Sequence, residues 1–296
     1  MTANAIPNVS RVAPWFGADT AVAAAIGRLL GRRKSTAVPF CGGLAALAHI
    51  NTRTGIATDK HRHIINLARV IAHDLLRPKL IARLEMTLFH PDELVDAQEY
   101  CRKREAGRSG GLFGTTSAAS PDDGIPSIEW ARNYFVAVWM GRGGKAGTKD
   151  ELNQSLSLRY KASGGDSVVR FRSAIASLEE WAAFLRPWQF DVCDGFDLIW
   201  RMADDEGNGL YVDAPWPDAG DEYRYPFTDA QQCDLAKALE RFEKARVVVR
   251  YGDHRLIREL YPERRWRWNL RTTRDQANGA VAEVLIVNGP AADGGA

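Results

Sequence analysis

Apolar residues in the first part of the chain alternate between short strand-like runs and longer stretches with helical spacing. Residues 20–33 and 60–76 have apolar side chains three or four positions apart, which predicts helices. In the second of these stretches the apolar face consists of Ile64, Leu67, Ile71 and Leu75.

Two short strands are predicted between these helices. The first leads into a turn at Cys41-Gly42-Gly43, after which a helix begins at Leu44, and the second ends at Asp59. Strands that alternate with helices are typical of a doubly wound α/β fold, in which ligands bind beyond the carboxyl ends of the strands. The glycines and Asp59 fall at those ends.

The same alternation returns after residue 171. Helices are predicted over 173–186, 196–203, 228–243 and 253–260, and strands over 188–194, 209–213, 245–251 and 280–288. The region before it has helical segments and a Gly/Ser/Pro-rich stretch over 107–127. We therefore expect one domain formed by residues 1–75 and 172–296, with residues 76–171 as an inserted, mainly helical subdomain.

The composition is that of a globular protein of 296 residues, with 45% hydrophobic and 26% charged residues. A net charge of +2 excludes a uniformly basic coat for nucleic acid, although local basic patches remain compatible with it. No apolar run approaches the roughly 20 residues of a bilayer span, and no export signal opens the chain. Four scattered cysteines without a C-x-x-C pair predict neither a zinc nor a redox site and fit a cytoplasmic location.

Acidic residues at predicted strand ends are candidates for ligand contacts. Asp59 stands 16 residues after Gly43, close to the spacing at which dinucleotide folds place the acid that binds a ribose. An N-cap for the helix from Lys60 is the favoured interpretation of Asp59, and it is compatible with ribose binding. Asp213 ends an apolar strand, and prolines on both sides restrict Trp216 in the loop that follows. A plain turn with Trp216 in the core is the alternative.

Six segments, in order along the chain, resemble those of the Dam-type DNA adenine methyltransferases, which use S-adenosylmethionine (SAM). They are "APWFGAD" (13–19), "AVPFCGG" (37–43), "ATDKHRHIINLARVI" (57–71), "FDVCDGFDLI" (190–199), "YVDAPWPDAGDEYRYPFT" (211–228) and "AEVLIVN" (282–288). The resemblance implies a class I SAM-methyltransferase fold, Rossmann-like and doubly wound, whose insert recognises the DNA target. It also implies site-specific methylation of the N6 amino group of adenine.

The resemblance further implies which residues hold the cofactor. Asp59 would bind the ribose of SAM and Asp194 its adenine amino group, although Asp194 also fits a plain turn before Gly195. The pocket would be lined by Trp15, Phe40, Gly42 and Gly43.

By the same resemblance, the catalytic segment is Asp213-Ala214-Pro215-Trp216. The carboxylate of Asp213 and the backbone carbonyl of Ala214 would accept the two N–H hydrogens of a flipped adenine, freeing the lone pair of its amino nitrogen. Trp216 would stack on the base, an interaction worth about 1–3 kcal/mol. Because the sulfonium already activates the methyl group, this mechanism needs no metal.

Several positions depart from the family's pattern. "DPPY" reads "DAPW", Asp19 and Val38 replace a lysine and a glutamate, Gln231-Gln232 replaces an Asp-His pair, and "VVVRY" replaces a serine-containing strand end. These departures motivate two alternatives. One is a nucleic-acid-binding relative with weakened catalysis, and the other is a methyltransferase acting on RNA, single-stranded DNA or the amino group of cytosine.

Contacts to DNA are expected chiefly from the insert. Arg142 and Lys145 lie in a glycine-rich loop suited to phosphates, or in a loop that is merely solvated. Tyr223, which follows the catalytic segment, is assigned to nucleic-acid binding by the resemblance. The arginine-rich stretch 261–274 either contacts the phosphate backbone or forms an exposed strand face beside packed tryptophans.

Overall fold

The computed structural model describes residues 6–106, 125–158, 166–218, 222–274 and 280–289. The chain divides into two compact units. The sheet unit comprises Gly17–Lys60 and Pro187–Ala296, and the helical unit comprises Met1–Phe16 and His61–Arg186. Within the described ranges, no helix combines the length and the apolar character needed to cross a bilayer.

Seven described strands form the sheet unit: β1 (Arg33–Val38), β2 (Thr52–Asp59), β3 (Trp188–Val192), β4 (Asn208–Val212), β5 (Arg246–Gly252), β6 (Trp266–Arg274) and β7 (Ala280–Asn288). Their order is β3-β2-β1-β4-β5-β7-β6. Strands β1 to β5 are parallel, and β7 pairs antiparallel with both β5 and β6. The fold is α/β, and its strand order reverses between β1 and β4. This arrangement is compatible with a Rossmann-like doubly wound fold.

The helices of the described residues are α1 (Ala23–Leu30), α2 (Arg62–Ala72), α3 (Arg77–Glu85), α4 (Pro91–Ala106), α5 (Ile128–Met140), α6 (Ser167–Ala176), α7 (Leu178–Leu185), α8 (Gly195–Arg201), α9 (Asp229–Glu240) and α10 (Arg255–Leu260). Of these, α1, α8, α9 and α10 belong to the sheet unit and the other six to the helical unit.

The central strands β4 and β5 are covered on both faces, as expected for continuous apolar runs in a parallel sheet. Leu210 and Val212 of β4 and Val247 and Val249 of β5 belong to one core cluster, together with residues of α9. Side chains alternate along a strand, so Tyr211 lies on the opposite face, against which α1 packs.

Three local expectations are wrong. The helix predicted from Leu44 is only a 3₁₀ turn (Ala45–Ala48), because Leu44 itself is left-handed with φ of 67°. Leu75 is 73% exposed, since α2 ends at Ala72 before the apolar face reaches it. The helix predicted over 173–186 is divided at Ser177 into α6 and α7.

The helical unit is organised around α5. This helix is buried on nearly all sides, as its apolar sequence "WARNYFVAVWM" demands, and α2, α3, α4 and α6 pack against it. Because α2 and α7 also pack together, the unit includes residues 61–75 and 172–186, beyond the predicted insert of 76–171. Most of the predicted Gly/Ser/Pro-rich stretch, residues 107–124, lies outside the described residues.

Candidate active site at the carboxyl ends of the strands

A carboxylate from β2 fixes the turn that follows β1. The Gly42 N–H donates to Asp59 Oδ2 at 3.0 Å, and Gly43 is buried in the same turn. Gly42 has φ of 44°, in the left-handed region that favours glycine. The N-cap of α2 is His61, so the capping alternative for Asp59 is wrong. Asp59 instead shapes the glycine turn.

Three phenylalanine rings lie close together: Phe40 after β1, Phe196 in α8 and Phe227 before α9. Phe40 meets Phe227 edge-on with ring centroids 5.9 Å apart, and Phe227 stacks on Phe196 at 6.0 Å. A Cβ atom on Gly195 would lie 2.4 Å from the Phe40 ring, so a larger residue does not fit there. All three rings are partly exposed, and together they offer an aromatic surface suited to a flat ring.

Asp194 caps α8 and has a cationic neighbour. Its Oδ1 accepts a hydrogen bond from the Phe196 N–H at 3.0 Å, and its Oδ2 lies 2.7 Å from Lys60 Nζ. The residue is therefore an extended N-cap of α8 and not the turn residue of the alternative interpretation. Contact between Asp194 and a ligand amino group stays a prediction, and it requires an oxygen to be shared with one of these partners.

Asp213 leaves β4 directly beside Arg250 of β5. Val212 pairs with Val249 in the parallel register, so the next two residues are lateral neighbours. Arg250 Nη1 donates to Asp213 Oδ2 at 2.8 Å, and the Tyr211 hydroxyl lies 3.3 Å from the same oxygen. Asp213 Oδ1 has no hydrogen bond to any residue in the described ranges, and 17% of the side chain is exposed. One carboxylate oxygen therefore remains for an external donor.

Arg250 is the site residue that the sequence analysis missed. Its side chain is 3% exposed, and its guanidinium also donates to Glu283 Oε2 at 3.0 Å and to the Gly17 carbonyl at 2.7 Å. Burial opposes the charged form, but the charges of Asp213 and Glu283 hold the pKa of Arg250 well above its ordinary value. The available signal was an arginine inside the apolar run "VVVRY", because buried arginines are rare unless paired.

Two aspartates share the hydroxyl of Tyr211. This oxygen lies 3.0 Å from Asp19 Oδ2 and 3.3 Å from Asp213 Oδ2, and it has a single proton to donate. Burial raises the pKa of Asp213 to about 6 against the attraction of Arg250. Burial also raises the pKa of Asp19. The cluster therefore holds a proton more readily than a solvated aspartate does.

Trp216 lies over the end of β5. The Arg250 guanidinium carbon is 4.9 Å from the centroid of its ring, and a Cβ atom on Gly252 would lie 3.1 Å from the indole. The indole packs against the core cluster and is still partly exposed. Trp216 is thus anchored by the core without being enclosed in it.

Gln231 and Gln232 lie in the first turn of α9, and Gln232 holds the loop after β4. Gln232 Nε2 donates to the Pro215 carbonyl at 2.8 Å, while Gln232 Oε1 accepts from the Tyr251 hydroxyl at 2.5 Å. Gln231 forms a capping box with Thr228 at the start of α9. Ala214, between Asp213 and Pro215, is 1% exposed. The start of the loop is therefore held at Pro215 by Gln232 of α9, which is in turn bound by Tyr251 of β5.

Tyr223 lies next to the same cluster. A Cβ atom on Gly17 would be 2.8 Å from the Tyr223 hydroxyl. Burial, followed by the charge of Asp213, raises the pKa of this phenol. If Tyr223 contacts nucleic acid as predicted, that contact lies close to Asp213.

Trp15 belongs to the helical unit, whereas the other predicted cofactor residues belong to the sheet unit. Its ring meets that of His61 edge-on with centroids 5.1 Å apart. A Cβ atom on Gly147, which has φ of 83°, would lie 2.6 Å from the indole. Trp15 therefore packs on the glycine loop of this unit.

That glycine loop, residues 141–147, is held at both ends. Ala146 forms a bridge with Trp15, and Gly141 forms one with Leu156. Arg142 is exposed and has no hydrogen bond or ion pair with residues of the described segments. Lys145 Nζ lies 5.8 Å from the Phe16 ring. Of the two predicted phosphate contacts, Arg142 is the more available.

A second ionisable cluster lies in the core of the helical unit. His61 Nε2 is 2.6 Å from Glu151 Oε1, and His63 Nε2 is 2.5 Å from Glu105 Oε1. The Gly147 N–H donates to Glu151 Oε2 at 2.8 Å. Burial opposes ionisation of Glu151, but the two histidines lower its pKa to about 2.

The donors around this cluster decide whether it could hold a metal. Ligand atoms of His63, Glu105 and Glu151 lie within 4.8 Å of one another. However, Trp130 Nε1 donates to His63 Nδ1 at 2.5 Å, and an indole nitrogen only donates. His63 Nδ1 therefore carries the lone pair and Nε2 the proton, which is directed at Glu105. Since a metal needs a lone pair on Nε2, the residues fit a hydrogen-bonded network rather than a metal site.

The arginine-rich stretch forms the edge strand β6. Trp266 is buried, Trp268 Nε1 donates to the Tyr261 carbonyl at 2.8 Å, and Arg267 is partly exposed. Leu270 and Arg271 are exposed and Arg267 is partly exposed, so an exposed strand face beside packed tryptophans stays an interpretation of this stretch. Contact with phosphates stays a prediction.

No protein-family model matches the chain, and a search of the curated proteins likewise found no match.

Proposed function

We propose that the protein is a SAM-dependent methyltransferase that methylates the N6 amino group of adenine in DNA. One observation carries the proposal. At the end of β4, Asp213 keeps one oxygen without a partner among the described residues, beside a partly exposed indole at Trp216. A carboxylate acceptor next to a stacking ring is the combination that an extruded base requires.

The chemistry follows from these acceptors. Asp213 Oδ1 accepts one hydrogen of the amino group. The Pro215 carbonyl is already bonded to Gln232, so the proposed second acceptor is the carbonyl of Ala214. Both acceptors favour a pyramidal nitrogen with its lone pair directed at the methyl donor, and fixed dipoles meet the positive charge that develops.

The sheet unit has residues that fit the proposed cofactor. The glycine turn fixed by Asp59 permits close approach of a ligand, and the rings of Phe40, Phe196 and Phe227 suit a purine. The glycine turn and Phe40 follow β1, at the reversal in strand order where such folds bind ligands, whereas Phe196 follows β3 and Phe227 precedes α9. When bound, SAM supplies a methyl group that its sulfonium already activates. Roles for Trp15 and Asp194 in holding it remain predictions.

DNA is the proposed substrate, and Arg142 of the helical unit is the proposed phosphate contact. It is exposed, and no residue in the described ranges neutralises it. Such a contact positions the nucleic acid without reading its sequence.

A relative with weakened catalysis is the second candidate, and the Asp213–Arg250 pair is the observation that favours it. A guanidinium 2.8 Å from Oδ2 withdraws charge from the carboxylate and weakens Oδ1 as an acceptor. The two candidates differ in turnover and not in ligand binding.

The test is transfer of labelled methyl from SAM to duplex DNA, single-stranded DNA and RNA. Wild type should label duplex DNA, and Asp213→Asn should label it about 100-fold to 1000-fold more slowly. Asp253→Asn is the matched control, because Asp253 also follows a strand and binds an arginine, Arg258, at 2.7 Å. Label in RNA or single strands alone would redirect the substrate. SAM and DNA binding without label would favour the weakened relative.

A further inference from the structure

The guanidinium of Arg250 contacts both side chains that hold the adenine base in the proposed reaction, Asp213 and Trp216. Arg250 donates to Asp213 Oδ2 at 2.8 Å and lies 4.9 Å from the centroid of Trp216. The same Nη1 also donates to the Gly17 carbonyl, and Nε donates to Glu283 Oε2. The fork is therefore fixed from β7 and from the segment before α1, so it cannot rotate away from the site.

The geometry points to Arg250 as a positioning residue, an assignment that rests on the proposed function. It holds Asp213 by Oδ2 so that Oδ1 faces the amino group, and it supports one face of Trp216 so that the other meets the base. Lysine cannot replace it fully, because an ammonium has one nitrogen, whereas the guanidinium binds two carboxylates through Nη1 and Nε while its flat face lies on the indole.

The charges around Asp213 make this role measurable apart from catalysis. Arg250 on β5 is the cation that faces it, whereas Asp19 before α1 and Glu283 on β7 add negative charge. Tyr211 on β4 and Tyr223 after it also adjoin the carboxylate and are neutral below their raised pKa values. Removing Arg250 therefore disfavours ionisation of Asp213, and removing the charge of Glu283 favours it.

The experiment is carboxyl NMR titration of Asp213 in the full chain, with the signal assigned through Asp213→Asn. Arg250→Met should raise the titration midpoint by about one to three pH units. Arg250→Lys should raise it less, and Glu283→Gln should lower it. Arg246→Met, at the other end of β5, should leave it unchanged. Shifts in opposite directions from two partners of one network are not expected from simple loss of packing.

Transfer kinetics provide the second readout. Arg250→Lys should lower the rate of methyl transfer about 100-fold through misplaced acceptors while KM for SAM is kept. If Arg250→Met does not fold, Arg250→Lys and Glu283→Gln still decide the matter. An unmoved midpoint in both, or shifts of the same sign, would overturn the assignment. Absence of transfer by wild type would instead defeat the proposed function and leave the midpoints informative.

Discussion

Two clusters of buried ionisable side chains differ in how fully their hydrogen bonds are used. In the helical unit, His61 and His63 each direct Nε2 at a glutamate, and Trp130 fixes the tautomer of His63. In the sheet unit, Arg250 and Tyr211 both bind Oδ2 of Asp213, while Oδ1 has no partner among the described residues.

The difference separates a structural network from a candidate site. The histidine–glutamate cluster lowers the pKa of its buried acid to about 2, so ionisation there favours folding. In the aspartate–arginine cluster, burial raises the pKa of Asp213 to about 6 against the attraction of Arg250, so ionisation there opposes folding. Asp213 thus carries a buried charge at a cost in stability and keeps Oδ1 for a ligand, a combination that is typical of functional groups.

The largest expected effect is on stability. Glu151→Ala should lower the free energy of unfolding by about 3–5 kcal/mol, because it removes the buried carboxylate that accepts from His61 Nε2 and from the Gly147 N–H. Urea denaturation at pH 7 measures this. Glu99→Ala, which breaks the exposed and solvent-screened pair with Lys103, is the control and should change stability little.

The pH dependence of that effect follows from the lowered pKa. The stability contributed by Glu151 is present above its unfolded pKa near 4.5 and is lost as pH falls toward 2. The difference between wild type and Glu151→Ala should therefore shrink in acid. A difference that is constant from pH 7 to pH 3 would mean that the cluster is not ionised as described.

The opposite sign is expected at Asp213. Its pKa is raised from 3.8 to about 6, so its stabilising effect is present below pH 4 and is lost as pH rises through 6. Relative to Asp213→Asn, wild type should lose about 3 kcal/mol of stability between pH 4 and pH 7. Denaturation at several pH values tests this, and a gain for wild type over that range would contradict it.

A smaller effect is expected at the indole. Trp216→Ala should weaken capture of the flipped base by about 1–3 kcal/mol, because it removes the stacking surface. Fluorescence of 2-aminopurine at the target position measures base extrusion. Trp200→Ala removes a tryptophan that is 60% exposed elsewhere in the sheet unit and should leave the signal unchanged. Equal loss in both variants would argue against stacking at Trp216.

The smallest effect is expected at the glycine loop. Arg142→Ala should reduce the slope of log affinity for DNA against log salt by about 0.9, the value for one phosphate contact. Binding titrations at several salt concentrations measure the slope, with Lys103→Ala on α4 as the control. An unchanged slope would remove Arg142 from the proposed interface.

The sequence predicted the parts of the fold that depend on local patterns. Apolar runs and helical spacing predicted the strand ends that carry Asp59 and Asp213, because these signals are contained in a few neighbouring residues. Helix limits near Leu44 and Leu75 were wrong, since a left-handed residue and an early helix end are set by packing.

The charged partners could not be predicted in the same way. Arg250 meets Asp213 through the register of β4 with β5, and Glu283 joins them from β7. The network of the helical unit unites residues 61, 63, 105 and 151, which are far apart in sequence. Such contacts depend on the tertiary fold. The only local sign of either cluster was Arg250 within the apolar run "VVVRY".

Nucleoside mass analysis of duplex DNA incubated with the protein and SAM tests the central claim most directly. Wild type should yield N6-methyldeoxyadenosine, Asp213→Asn should yield little or none, and Asp253→Asn should match wild type. DNA that carries no methylated nucleoside after incubation with folded, SAM-binding wild type, or equal yields from wild type and Asp213→Asn, would contradict it.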